Sequence, residues 1–416
     1  MNCVAGLTRR PLFGYAAFMS RMLGSRWVLV GLLAVAVVVG CQRTDRRPFS
    51  ARFPLSRPDP PIAVPPGMTL CGSPAPDAPL RPQRHVLALS SGGLYGAYST
   101  GFLSGWSKTG TRPEFDSVTG VSTGSLIAPY AFLGEDFDGI AADLYTGVRA
   151  EDVFQIRAWL TIPFKDAVAS SAPLKKLIQD QITPDFLNRI VAEHAKGRRL
   201  YVATTNLNTR RLEVWDMGAI ASLPDRRHAG ELFRDVLLAS CSVPGMLPPV
   251  AFTVPGPNGV PVNELHVDGG VTSQLFVPTP VFEAASGQTP GVPVVPGGNG
   301  NVYAVVAGKL FPDAGPVRPR VLRILVATTG SIMHAHCRAE LGNLYGQSRF
   351  AGMRFHVTSL RQDVVVNADT LISIDQVEMT KLFREGQHDG LAGPKWQYRP
   401  PDLCLRTPVN VRPNGD

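Results

Sequence analysis

From residue 83 onward, short apolar runs alternate with segments whose apolar positions recur at helical spacing. Six runs read as strands: His85 to Leu89, Phe115 to Val118, Leu200 to Thr204, Leu212 to Trp215, Val302 to Val306 and Val321 to Val326. Between them, Thr183-Pro184-Asp185 gives a cap, a proline for the first turn and an early acid. Phe186, Leu187, Ile190 and Val191 then recur at helical spacing until Gly197. Ala172-Pro173 opens another helix, with Leu174, Leu177 and Ile178 on one face. The Pro/Gly-rich stretches 253–262 and 286–300 read as loops inside the domain. The pattern predicts an α/β fold with a central sheet and helices packed on it, and contains no internal repeat.

The first eighty residues have a different texture. Trp27 to Gly40 is an unbroken apolar run of fourteen positions after Arg21 and Arg26, short for a membrane span and laid out like an export signal. It ends in Val38-Val39-Gly40-Cys41, which resembles a bacterial lipobox, so residues 1–40 are expected to be removed and Cys41 to carry lipid. Residues 48–82 hold eleven prolines, and 41–82 is therefore expected to be an extended tether to a body at 83–416. The expected location is the bacterial cell envelope, anchored at the outer membrane or facing the periplasm.

Composition narrows the function. The 416-residue chain is 44% apolar, enough for a substantial core. Its net charge of +8 suggests nucleic acid until it is located: ten arginines and three acids put +7 of it in residues 1–82, leaving the body nearly neutral. A nucleic-acid partner is not expected. After loss of Cys3 and lipidation of Cys41, cysteines 71, 241, 337 and 404 remain in a compartment that permits disulfides. Three complete pairings are open, and Cys241, in a stretch of small residues, is expected to stay free. No cysteine pair has metal-ligand spacing.

The candidate chemistry begins at Gly120-Val121-Ser122-Thr123-Gly124, where a predicted strand runs straight into the helix-like Ser125 to Ala131. A serine between two glycines on such a turn is held out for attack, at a helix N-terminus that favours negative charge. One strand earlier, Ser91-Gly92-Gly93-Leu94-Tyr95-Gly96 makes the same strand-to-helix transition. Its backbone amides are candidates for stabilising an oxyanion; the loop lacks the spacing and lysine of a Walker loop. A third turn, His266-Val267-Asp268-Gly269-Gly270, offers a carboxylate. His266, His334, His336, His356 and His388 stand in no recognisable triad context, although a histidine-dependent esterase stays open at this point.

Taken together and in this order, the three turns resemble the patatin-like phospholipase family. Ala203 to Arg210 and the Ala239-Ser240-Cys241-Ser242-Val243-Pro244 segment leading to Pro248-Pro249 agree with it. The resemblance covers residues 84–273, and 274–416 is expected to extend the same domain. It implies a three-layer α/β/α fold with a mainly parallel sheet, and a serine acyl hydrolase using Ser122 as nucleophile and Asp268 as base. It also implies oxyanion donors at Gly92, Gly93 and Leu94, membrane lipid as substrate, and no metal or cofactor. Two positions depart from the family pattern: Ser91 replaces a glycine, and Tyr95 stands where a basic residue is usual. An inactive lipid- or partner-binding lipoprotein of the same fold is the alternative those departures leave open.

Overall fold

The computed structural model describes residues 61–70, 80–158, 165–256, 260–287, 300–317, 319–366, 375–393 and 395–401, all within one compact unit, 55–416. The expected signal run, Cys41, Cys71 and Cys404 lie outside the described residues.

Eleven strands are described: β1 (Ile62–Ala63), β2 (His85–Leu89), β3 (Ser117–Val121), β4 (Gln155–Ile156), β5 (Ala169–Ser170), β6 (Arg199–Asn206), β7 (Arg211–Asp216), β8 (Val250–Pro255), β9 (Pro261–Asp268), β10 (Asn301–Val306) and β11 (Arg354–Ser359). The main helices are α1 (Gly96–Lys108), α2 (Thr123–Leu133), α3 (Asp138–Thr146), α4 (Ala172–Gln181), α5 (Pro184–Ala195), α6 (Arg226–Ser240), α7 (Thr279–Ser286), α8 (Val321–Phe350) and α9 (Gln376–Leu391).

One sheet runs in the order β1-β8-β9-β6-β3-β2-β10-β11, with β7 paired to β6; β4 and β5 form a separate antiparallel ribbon. The five neighbours β6, β3, β2, β10 and β11 are mutually parallel, while β9 runs antiparallel to both β6 and β8. The strands alternate between two cores. Leu87 and Leu89 of β2 join one cluster with residues of α1, α2, α5 and α6, whereas Val86 and Ala88 join another with α7 and α8. A sheet covered on both faces needs apolar side chains at both phases of the strand, as these runs supply. The architecture is the expected three-layer α/β/α fold with a mostly parallel sheet.

The segment after residue 274 belongs to that sheet. β10 inserts beside β2, and β11 extends it further. Helix α9 returns to α1 across a very close crossing, in which a Cβ on Gly101 would lie 2.0 Å from the Phe383 carbonyl oxygen and one on Gly386 would lie 2.1 Å from that of Tyr98. Gly105 and Gly390 repeat the arrangement one turn along, so each helix contributes a Gly-x-x-x-Gly pair to the contact.

Three expectations are corrected. Residues 61–70, expected to belong to the tether, line the sheet instead. β1 pairs with β8, Val64 is buried, and Leu70 N–H donates to the Val214 carbonyl at 2.9 Å. Prolines are tolerated there because β1 is an edge strand with a free side. The 253–262 loop is largely a β-hairpin, whose ladder closes with Pro255 opposite Pro261. The run Val321 to Val326 is no strand but the first turns of the thirty-residue α8. Elsewhere the ends are as expected, with the Thr183 hydroxyl accepting from the Phe186 amide at the start of α5.

Candidate active site

The site is assembled by β6. Its residue Ala203 is in register with Val121, the last residue of β3, and its next residue, Thr204, is in register with Asp268, the last residue of β9. Adjacent positions of one strand therefore bring Ser122 and Asp268 together across 146 residues of sequence, and Ser122 Oγ donates to Asp268 Oδ2 at 2.6 Å. Both side chains are buried.

Ser122 sits at φ 53°, ψ −123°, a strained conformation for a residue other than glycine. The turn closes tightly enough that a Cβ on Gly120 would lie 2.4 Å from the Gly124 carbonyl oxygen, and one on Gly124 would lie 2.5 Å from that of Leu89. Glycine at both ends is thus a packing requirement. The strained turn is held from behind by the end of α6. Ser240 Oγ accepts from the Ser122 amide at 3.0 Å and donates to the Ala203 carbonyl at 2.8 Å. The Ser125 hydroxyl and the Cys241 thiol both donate to the Ser122 carbonyl, at 2.6 and 3.3 Å. Ser242 accepts from the Asp268 amide through its carbonyl at 2.9 Å. Ser240 and Ser242, recognised in the sequence only as part of a motif, brace both members of the pair.

Asp268 accepts from the Gly270 amide through Oδ1 at 2.7 Å, and Thr205 Oγ1 donates to its carbonyl at 2.9 Å. Burial pushes its carboxyl up to about 6, against the opposing pull of the hydrogen bonds from Ser122 and Gly270. Gly269 packs on β6, where a Cβ would lie 2.5 Å from the Ala203 carbonyl oxygen. The result is a carboxylate with two short donors, ionisable near neutrality and far more basic than an exposed aspartate. Cys241 is free, and burial pushes its thiol up, which leaves it a protonated donor; Cys337 is free and buried as well.

The glycine loop lies next to this pair. Gly93, Leu94 and Tyr95 form a single helical turn leading into Gly96 and α1. The first amides of such a turn have no acceptor within it, and no hydrogen bond among the described residues uses the Gly92, Gly93 or Leu94 N–H. Gly96 meets the serine turn, since a Cβ there would lie 2.1 Å from Thr123 Oγ1. Both departures have a structural role. The Ser91 hydroxyl donates to Gln274 Oε1 and its amide to the Gln274 carbonyl at 2.8 Å, while Gln274 Nε2 donates to the Gly270 carbonyl. Ser91 therefore latches the glycine loop to the turn that carries Asp268. Gln274 is itself held by Glu340 of α8, which accepts from the Gln274 amide at 2.7 Å. Tyr95 packs over Gly308, and burial, with Asp313 and Glu378 nearby, pushes its phenol up.

The sequence did not reveal Gln274 or Glu340: Gln274, four residues after Gly270, is buried, and Glu340 is half-buried on α8. The histidines stand elsewhere. His266 Nδ1 pairs with Thr204 Oγ1 at 2.8 Å and His356 Nε2 with Asn301 at 3.0 Å, and among the described residues no histidine hydrogen-bonds to Ser122 or Asp268.

The family model of the patatin-like phospholipases matches residues 87–282, which run from β2 through both members of the buried pair to α7. This segment is similar to the patatin-like phospholipases. At the level of the family, that similarity supports a lipid hydrolase. No curated protein matches the chain. Among solved structures, VipD from Legionella pneumophila is similar at 12% identity and a TM-score of 0.35, over 77% of this chain and 71% of that one. The patatin-like match ends at residue 282, whereas the sheet it belongs to continues through β10 and β11.

Proposed function

We propose that the protein is a serine acyl hydrolase that cleaves acyl esters of membrane lipids, in the manner of a phospholipase or lysophospholipase A. The observation that carries this reading is the buried 2.6 Å hydrogen bond from Ser122 Oγ to Asp268 Oδ2 on a strained strand-to-helix turn. In the proposed reaction the Ser122 oxygen forms a bond to the ester carbonyl carbon as its proton passes to Asp268. The Gly92, Gly93 and Leu94 amides receive the developing oxyanion. Collapse breaks the ester C–O bond, and Asp268 returns the proton to the departing alcohol. Water, deprotonated by the same carboxylate, then attacks the acyl-serine carbonyl, the C–Oγ bond breaks, and Asp268 returns the proton to Ser122 as the fatty acid leaves.

An aspartate at its ordinary pKa is a weak base for a serine, and elevation to about 6 brings Asp268 closer to what general-base catalysis needs. The test is release of fatty acid from phospholipid vesicles and from a short-chain ester by the wild type, Ser122→Ala and Asp268→Asn. The proposal expects both variants to be inactive and folded; undiminished release by Ser122→Ala would rule it out. We further propose that Cys41 carries the lipid that anchors the protein in the cell envelope. A Cys41→Ser chain that still incorporates radiolabelled palmitate would refute that.

A further inference from the structure

Helix α8 is much longer than its place in the fold needs. It connects β10 to β11, two parallel neighbours of six residues each, yet it runs for thirty residues, about 45 Å. Its second half packs on the sheet through Cys337, Leu341, Leu344 and Ser348, one face at helical spacing. Arg338 fixes where the packed part begins: Nη1 donates to the Leu310 carbonyl at 2.8 Å and the guanidinium lies 4.7 Å from the centre of the Phe311 ring. Leu310 and Phe311 follow β10 at the carboxyl edge of the parallel strands, the edge that also carries Ser122 and the glycine loop. Ala307, three residues earlier, touches Gly92.

The turns before residue 334 therefore extend past that edge, by about 20 Å. None of the described side chains from Val321 to His336 is buried. The overhang is nevertheless apolar. Val321, Ile324, Leu325 and Ile332 are 77%, 48%, 57% and 62% exposed, and their spacing sets them on one stripe. Ile332 and Leu341 are nine residues apart, half a revolution, so the stripe faces away from the side that packs on the sheet. No Asp or Glu occurs between residues 314 and 339, while arginines stand at 318, 320 and 323. Arg320 and Arg323 are exposed, and no ion pair among the described residues engages either. Val326, 53% exposed, lies off this stripe. An exposed apolar stripe on a helix whose first turns carry arginines and no acid, beside a site for acyl esters, fits the interface of an anionic bilayer. No described helix is long and apolar enough to cross a membrane.

We propose that the overhanging half of α8 docks the active-site edge onto anionic lipid surfaces, with Val321, Ile324, Leu325 and Ile332 entering the acyl boundary and Arg320 and Arg323 meeting the headgroups. The inference deepens the proposed function and rests on it only for what the docked enzyme then cleaves. Its test uses the full chain carrying Leu325→Trp, with vesicles containing brominated lipid, either phosphatidylglycerol or phosphatidylcholine. The expected result is quenching of the added tryptophan by the phosphatidylglycerol vesicles and little by the others.

In parallel, Ile324→Asp/Leu325→Asp should lower turnover on phosphatidylglycerol vesicles by about ten-fold or more and leave hydrolysis of a soluble short-chain ester unchanged. Unchanged ester hydrolysis also reports that the variant is folded. Absence of quenching with phosphatidylglycerol overturns the proposal, and equal quenching by both lipids overturns the role of the arginines. A wild-type dimer abolished by the aspartates would assign the stripe to a second copy instead. Quenching without hydrolysis of any ester by the wild type would leave docking standing and remove the proposed function, so the two fail separately.

Discussion

Asp268→Asn should stabilise the protein at the pH where it destroys the proposed activity. The folded carboxyl is raised to about 6 from an ordinary value near 3.8, because burial penalises its charge more than its two donors compensate. A raised acid destabilises the native state wherever the unfolded chain is ionised. The penalty is absent well below pH 3.8, grows as pH rises through the interval to 6, and is complete above it. Integrated over that interval it comes to about 3 kcal/mol at pH 8 and to only a small fraction of that at pH 4. Asparagine keeps the shape and an acceptor oxygen without the charge. Thermal unfolding of the wild type and Asp268→Asn should therefore show the variant higher by about 4 °C at pH 8, a gap that nearly closes at pH 4. A variant equal to or less stable than the wild type at pH 8, or a gap that does not shrink on acidification, would refute the claim that this carboxylate is held ionised against its surroundings.

The same carboxyl sets a rate profile. Because the base must be ionised, kcat/KM on a soluble ester should climb with pH to a plateau with its midpoint near 6, and a midpoint near 4 would mean the group is not desolvated. Gln274→Ala removes the latch between Ser91 and Gly270 and should lower kcat by about ten-fold with little change in melting temperature, since it loosens the loop rather than the core. An unchanged kcat would show the latch to be incidental. Gly386→Ala drives a methyl to 2.1 Å from the Tyr98 carbonyl oxygen, so α9 must shift from α1 at a cost of about 1–3 kcal/mol; a melting temperature equal to wild type would contradict that crossing.

What the sequence could disclose was decided by range. The serine turn, the glycine loop and the Asp-Gly-Gly turn are short, and each needs particular residues at fixed offsets, so all three were legible. Their meeting depends on the register of β3 and β9 against β6, which no local pattern encodes; the family resemblance supplied the pairing. The braces from the Ser240, Gln274 and Glu340 side chains and from the Ser242 carbonyl have a role only once the strands are placed. The run Val321 to Val326 was misread because a short apolar stretch has the same signature in a buried strand and in a helix whose apolar side is exposed. The hairpin of β8 and β9 was hidden by Pro255 and Pro261, which read as loop residues but close the ladder at its turn. The Gly-x-x-x-Gly pairs of α1 and α9 were visible as letters, and without the partner helix they carried no message.

The most direct test of the central claim is fluorophosphonate labelling of the full chain, read by mass spectrometry of the modified peptide, with Ser122→Ala and Asp268→Asn alongside. The account predicts a single adduct on Ser122, absent from the alanine variant and formed much more slowly in the asparagine variant. A folded wild-type chain that takes no label, or takes it elsewhere, would contradict the account and favour an inactive lipid-binding protein of the same fold.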